Sequence, residues 1–197
     1  MIENNRMGLV IMASGLGKRF GGNKLVENLD NRPVIKWIID ITDNFFDKRV
    51  VVTRNKEVKA LCDEINLECI LHELPNRNDT VRLGLSSMME DIDYCFFTPG
   101  DQPLIKKESI AKLIEKANDN PNKIVRTCYG DIVGSPVGFP KAFFDELLKL
   151  PEGKGGGWIA KNNSELLCTV EVQDEYELWD IDTVEDLKKV KSVLKNM

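Results

Sequence analysis

The chain has 197 residues, enough for one domain with a sizeable hydrophobic core. Hydrophobic residues make up 42% and charged residues 30%, and 27 Lys+Arg against 32 Asp+Glu leave a net charge of −5. That is ordinary for a globular protein; it argues against a general nucleic-acid binder, which carries a basic surface, and leaves room for a local basic pocket.

The chain opens with a short apolar run that meets glycines and charge at once. This is the pattern of neither a signal peptide nor a membrane span, so a soluble, cytoplasmic protein without a membrane partner is expected. The five cysteines (62, 69, 95, 128 and 168) are odd in number and form no C-x-x-C pair, against a zinc cage or a disulfide framework and in favour of a reducing compartment.

In chain order, residues 8–13 are apolar and β-prone, and 34–44 repeat apolar residues at helical spacing (Val34, Trp37, Ile38, Ile41). Residues 49–53 (RVVVT) read as a buried, almost wholly apolar strand, 55–65 and 80–89 as helices, and 94–98 (YCFFT) as a second strand of the same kind. A helix over 108–117, a strand over 123–127, and a terminal helix over 183–194 follow. Thr183 is the N-cap of the last, with Glu185 and Asp186 in its first turn. The glycine- and proline-bearing runs 134–140 and 153–157 read as loops that feed a site. Such alternation predicts one α/β domain over 1–197, three-layered, with a mostly parallel sheet.

Three segments carry chemistry. The first runs A-S-G-L-G-K-R-F-G-G-N-K from Ala13 to Lys24. Gly15 and Gly17 allow positive φ and close backbone approach, so consecutive amides can face phosphate oxygens. Arg19 and Lys24 add a guanidinium fork and a mobile ammonium, suited to a triphosphate and its departing pyrophosphate. A Walker A loop requires Ser or Thr after the lysine, and a dinucleotide fingerprint requires a glycine one position earlier than Gly21; neither fits. The second segment is Thr98–Pro103, in which Gly100 and Asp101 form a turn after a buried strand. It places a hard carboxylate at the carboxyl edge of the sheet, where Mg²⁺ can be shared with nucleotide phosphates. The third is Leu178–Thr183. Strand alternation would put Asp180 and Asp182 on one face, either of them available as a second ligand. His72, the single histidine, has no evident partner, and Phe45, Phe46, Phe143 and Phe144 read as core.

Together these segments resemble the MobA-like NTP transferases, and within them the molybdenum cofactor cytidylyltransferases. Met12 to Lys24 is similar to the family's opening L-x-A-x-G-x-G-x-R-x-G-x-x-K with one glycine more before the lysine, Gly100–Pro103 matches G-D-Q-P, Gly134–Pro136 a G-x-P turn, Gly153–Gly155 a D-K-G element, and Asp180–Leu187 the closing D-I-D-T-x-E-D-L. Asn76–Leu85 is similar to the R-x-x-S-V-x-x-G-L element of the cytidylyltransferases of isoprenoid and polyol synthesis, near base and ribose, which brings in Thr80.

The resemblance implies a GT-A-like fold and attack of a substrate phosphate on the α-phosphorus of an NTP, with CTP favoured. It implies Mg²⁺ on Asp101 and Asp182, with Arg19 and Lys24 on the outer phosphates. Ala13, Ser14, Gly15, Gly17, Thr80 and Gly100 would complete the nucleotide site, with Ser14 close to the base. Molybdopterin is the implied acceptor, with a molybdoenzyme or maturation factor as possible partner. A sugar- or polyol-phosphate acceptor and a non-catalytic nucleotide-binding chaperone are the alternatives.

Overall fold

The computed structural model describes residues 5–196. In chain order, β1 (Met7–Ala13) precedes a small hairpin of β2 (Asn28–Leu29) and β3 (Arg32–Pro33), then α1 (Val34–Ile41). β4 (Lys48–Thr53), α2 (Lys56–Glu64), β5 (Cys69–Leu71), α3 (Arg77–Ser86), β6 (Tyr94–Pro99) and α4 (Lys107–Asp119) follow. The second half contains β7 (Ile124–Tyr129), β8 (Ile132–Pro140), α5 (Phe144–Leu148), α6 (Gly156–Asn162), β9 (Leu167–Glu171) and α7 (Val184–Leu194).

Seven strands form one sheet in the order β5-β4-β1-β6-β8-β7-β9, and only β8 runs antiparallel to its neighbours. The sheet is mostly parallel, as the alternation predicts. Successive residues of β1 and β4 point to opposite faces, and both faces are dry: Leu9, Ile11 and Val51 pack under α1, α2 and α4, while Val10, Val50 and Val52 pack under α3, α5 and α6. Each of these side chains contributes roughly 1.5–3 kcal/mol by leaving water, which is why the strands read as unbroken apolar runs. The helix α3 lies so close that a Cβ at Gly84 would stand 2.5 Å from Val10 Cγ1. A third cluster docks α7 through Leu187 and Val190 onto Leu29, Val34, Leu104 and Ile181. No helix among the described residues is long and apolar enough to cross a membrane.

Three expectations are corrected. Residues 134–140 are not a loop but lie within β8, and glycine is there because the strand crosses aromatic rings. A Cβ at Gly138 would sit 2.5 Å from both Tyr94 and Phe96. In 153–157 only the first part is loop, since Gly156 and Gly157 open α6. Asp180 and Asp182 are on no strand; they flank Ile181 in an irregular connector whose Ile181 amide donates to the Asp101 carbonyl at 3.0 Å.

Candidate active site

The carboxyl ends of β1, β4 and β6 open onto one cavity of about 640 Å³, the place where open α/β sheets bind ligands. The chain leaves β1 through the basic glycine loop, which folds back on itself. Gly17 adopts φ +60°, and the amides of Phe20 and Gly21 both donate to its carbonyl at 3.0 Å. A Cβ on Gly17 would stand 2.1 Å from the Gly22 carbonyl oxygen, so glycine is required on two counts. Gly15 is different: it takes no positive φ, and nothing lies within 4 Å of where its Cβ would be. Its contribution is open space beside the cavity.

The fold-back delivers Lys24 into a group of carboxylates. Its Nζ lies 2.5 Å from Asp101 Oδ2 and 2.9 Å from Asp182 Oδ1, with the lysine side chain 11% exposed. Arg19, on the outer side of the loop, reaches the other Asp182 oxygen at 2.8 Å. Burial opposes the lysine's charge, but Asp101 and Asp182 outweigh it and hold the ammonium above its ordinary range. Asp180 completes the group. Surrounding chain and then the Asp101 and Asp182 carboxylates push its carboxyl up to about 6, against a hydrogen bond from Gln102 and the Lys24 charge, although Asp180 stays open to water at the cavity wall.

Distant anchors hold these side chains in place. The Gly100 amide donates to the Met12 carbonyl at 2.9 Å, and Gly100 sits against Leu25 and Ile35. It sets the Asp101 turn from beneath and does not line the cavity. Glu177 is fully buried and ties the Asp180–Asp182 connector to the start of α4. It accepts from the amides of Lys106 (3.1 Å) and Gln173 (3.0 Å) and from the Ser109 hydroxyl (2.5 Å). Thr183 caps α7 as expected, exchanging hydrogen bonds with Asp186.

Ala13, Ser14, Gly15, Gly17 and Thr80 line the same cavity as Arg19, Lys24, Asp101 and Asp182. The sequence reading missed its other end. Arg54, the first residue after β4, donates through Nε to the Ser14 carbonyl at 2.7 Å and lines the cavity beside Pro75, Asn76 and Arg77. A basic residue directly after a buried strand was the available signal. His72, expected to have no partner, lies 2.8 Å from the Ser14 hydroxyl through Nε2 and accepts the Leu74 amide on Nδ1 at 3.1 Å. Ser135, within the antiparallel strand β8, also lines the cavity, whereas Lys154 does not.

Residues 9–166 match the MobA-like NTP transferase domain. The chain belongs to that family. A protein of Aquifex aeolicus named "probable molybdenum cofactor guanylyltransferase" is 23% identical over 93% of this chain and 89% of its own length. The bifunctional protein GlmU of Thermosipho melanesiensis is 28% identical over 89% of this chain but only 43% of its own. The chain spans about half or less of the first curated relatives it matches. In structure it is similar to Rv0371c of Mycobacterium tuberculosis H37Rv (TM-score 0.84, 21% identity, 94% of this chain and 97% of that one). That protein was also solved in complex with manganese (TM-score 0.78, 20% identity, 95% and 98%). The fold is that of GT-A-like nucleotidyltransferases.

Proposed function

We propose that the protein transfers a nucleoside monophosphate, CMP from CTP in the favoured reading, to a phosphorylated acceptor such as molybdopterin. The observation that carries this reading is the convergence of Arg19, Lys24, Asp101 and Asp182 at one end of a cavity walled by a glycine loop. Cations and carboxylates gathered there suit a substrate that brings its own negative charge and a divalent cation.

The donor set fits Mg²⁺. Asp101 and Asp182 present hard oxygen ligands, and the position between them already draws an ammonium. Among the described residues no three acidic, histidine or cysteine side chains are arranged to hold a metal by themselves. Two carboxylates with phosphate oxygens and water making up the remainder are the usual arrangement for Mg²⁺-nucleotides. When bound, the ion would neutralise the α- and β-phosphates and orient them for in-line attack.

In this reading an acceptor phosphate oxygen attacks the α-phosphorus, the bond from that phosphorus to the bridging oxygen breaks, and pyrophosphate leaves carrying the electron pair. Lys24 and Arg19 turn from the carboxylates to the outer phosphates, meeting the charge that develops on the leaving group. The loop amides hold the phosphates, and Gly15 leaves room for them. No side chain forms a covalent bond to substrate.

The test is pyrophosphate release from each of the four NTPs with Mg²⁺ and molybdopterin, alongside a panel of sugar and polyol phosphates. Asp101→Ala should lower turnover by at least about 100-fold while the melting profile remains cooperative; full activity in that variant would remove the metal assignment. Tight nucleotide binding without pyrophosphate release across the panel would instead favour a carrier.

A further inference from the structure

At the end of the cavity away from the charged cluster, proton positions are fixed by geometry. The Leu74 amide donates to His72 Nδ1 at 3.1 Å. A backbone amide can only donate, so Nδ1 carries no proton and the neutral ring carries its proton on Nε2. Burial, and after it the Arg54 charge, lower the His72 pKa against the pull of Asp79, which keeps the ring neutral. The Nε2–H therefore donates to the Ser14 hydroxyl oxygen 2.8 Å away. The Ser14 hydroxyl in turn donates to the Val52 carbonyl at 3.1 Å. One lone pair of Ser14 Oγ is left, on a residue that lines the cavity. For Ser14 to donate to a ligand, it would have to give up Val52.

The sheet order says what lies there. The Ser14 hydroxyl is turned toward Val52 on β4, and Arg54, which lines the cavity, follows β4, two strands from the β6 end that carries Asp101 in the order β4-β1-β6. At ~4.8 Å per strand the separation is about 10 Å, the length scale from the inner phosphate of a nucleotide to its base. With the triphosphate at Lys24 and Arg19, the base falls at Ser14, Arg54 and Pro75.

Resting on the nucleotidyltransferase reading above, we infer that the His72–Ser14–Val52 relay makes Ser14 a fixed hydrogen-bond acceptor that selects an amino-bearing base and disfavours uracil. Cytosine presents an N–H donor where uracil presents a carbonyl, which would meet the Ser14 lone pair head-on. His72 is a positioning residue: it touches no substrate but prevents the hydroxyl from reorienting. Selection arises from leaving polar atoms unpaired with the wrong base.

Calorimetric titration of the full chain with CTP and with UTP, each with Mg²⁺, tests this. Wild type should bind CTP at least about 10-fold more tightly than UTP. Ser14→Ala and His72→Leu should bring the ratio to within about 3-fold, and His72→Gln, whose amide can donate from nearly the same place, should restore most of it. Melting curves identify any variant that no longer folds; the inference then stands or falls on the wild-type ratio and the remaining variants. A wild-type ratio near one, or an unchanged ratio in Ser14→Ala, overturns the relay as a selector. If wild type binds neither nucleotide, the nucleotide reading of the cavity fails, and the inference fails with it.

Discussion

Lys24 and Asp101 form a 2.5 Å ion pair at the floor of the cavity, with side chains 11% and 15% exposed, although they come from different strand ends. The ammonium stands between two carboxylates, at a point to which the Mg²⁺-nucleotide reading brings positive charge. Removing it leaves Asp101, Asp180 and Asp182 facing one another. Lys24→Met is therefore expected to lower stability by about 1–3 kcal/mol at low salt. Added Mg²⁺ should recover more of that loss in the variant than it adds to wild type. Urea unfolding with and without Mg²⁺ reads both quantities.

Gly17 and Gly15 are two residues apart and should differ in their effect on stability. Ala at position 17 meets a carbonyl oxygen and a left-handed backbone, so Gly17→Ala should cost on the order of 1–2 kcal/mol and weaken nucleotide binding. Gly15→Ala meets nothing in the protein, so its stability should stay within about 0.5 kcal/mol of wild type. Its affinity for CTP should nonetheless drop, because the methyl occupies space meant for phosphate. Equal effects of the two changes on unfolding would count against the described loop.

Glu177 makes no contact with the cavity, yet it holds the connector that carries Asp182. With four donors directed at it, counting the Asp174 amide at 3.4 Å, Glu177→Ala should destabilise by about 2–4 kcal/mol. It should also raise the Mg²⁺ concentration needed for activity. Metal dependence unchanged in a folded Glu177→Ala protein would show that the connector is held by other contacts.

The buried His72 sets a pH dependence. Its folded pKa lies below the unfolded value of about 6.5. The unfolded chain therefore binds the proton more readily, and His72 stabilises the fold above that value; this is lost as pH falls from about 6.5 toward the folded pKa. Wild type should lose more melting temperature than His72→Gln between neutral pH and about 5.5. Parallel pH profiles for the two proteins would rule the effect out.

Much of this was readable in the sequence wherever burial is two-sided. β1, β4 and β6 announce themselves by unbroken apolar runs (Leu9–Ala13, Val50–Val52 and Tyr94–Phe97), and Thr183 announces α7 by its cap. The charged cluster was readable because Lys24 follows the Gly21–Gly22 pair, Asp101 follows Gly100, and Asp182 stands directly before the Thr183 helix cap. β8 was hidden because its glycines answer to distant side chains, Gly138 to the Tyr94 and Phe96 rings on β6 and Gly134 to Leu178, contacts between residues some forty positions apart. His72 was hidden for a similar reason: its partners are a backbone amide two residues on and a hydroxyl 58 residues before it. Single-residue patterns carry no trace of such pairings.

The reversed direction of β8 has one more consequence. Because β7 ends and β8 begins at the same sheet edge as the cavity, the turn at Gly130 and Asp131 lies at that edge, and Ser135, farther along β8, lines the cavity. A hairpin can grow or shrink by residue pairs while keeping its register at the base. The molecule thus separates a half fixed by parallel strands and their crossover helices from an adjustable rim. On the transferase reading proposed above, changing the length of this single ribbon would alter the cavity wall beside Ser135 while leaving the strand ends that carry the glycine loop and Asp101 in place.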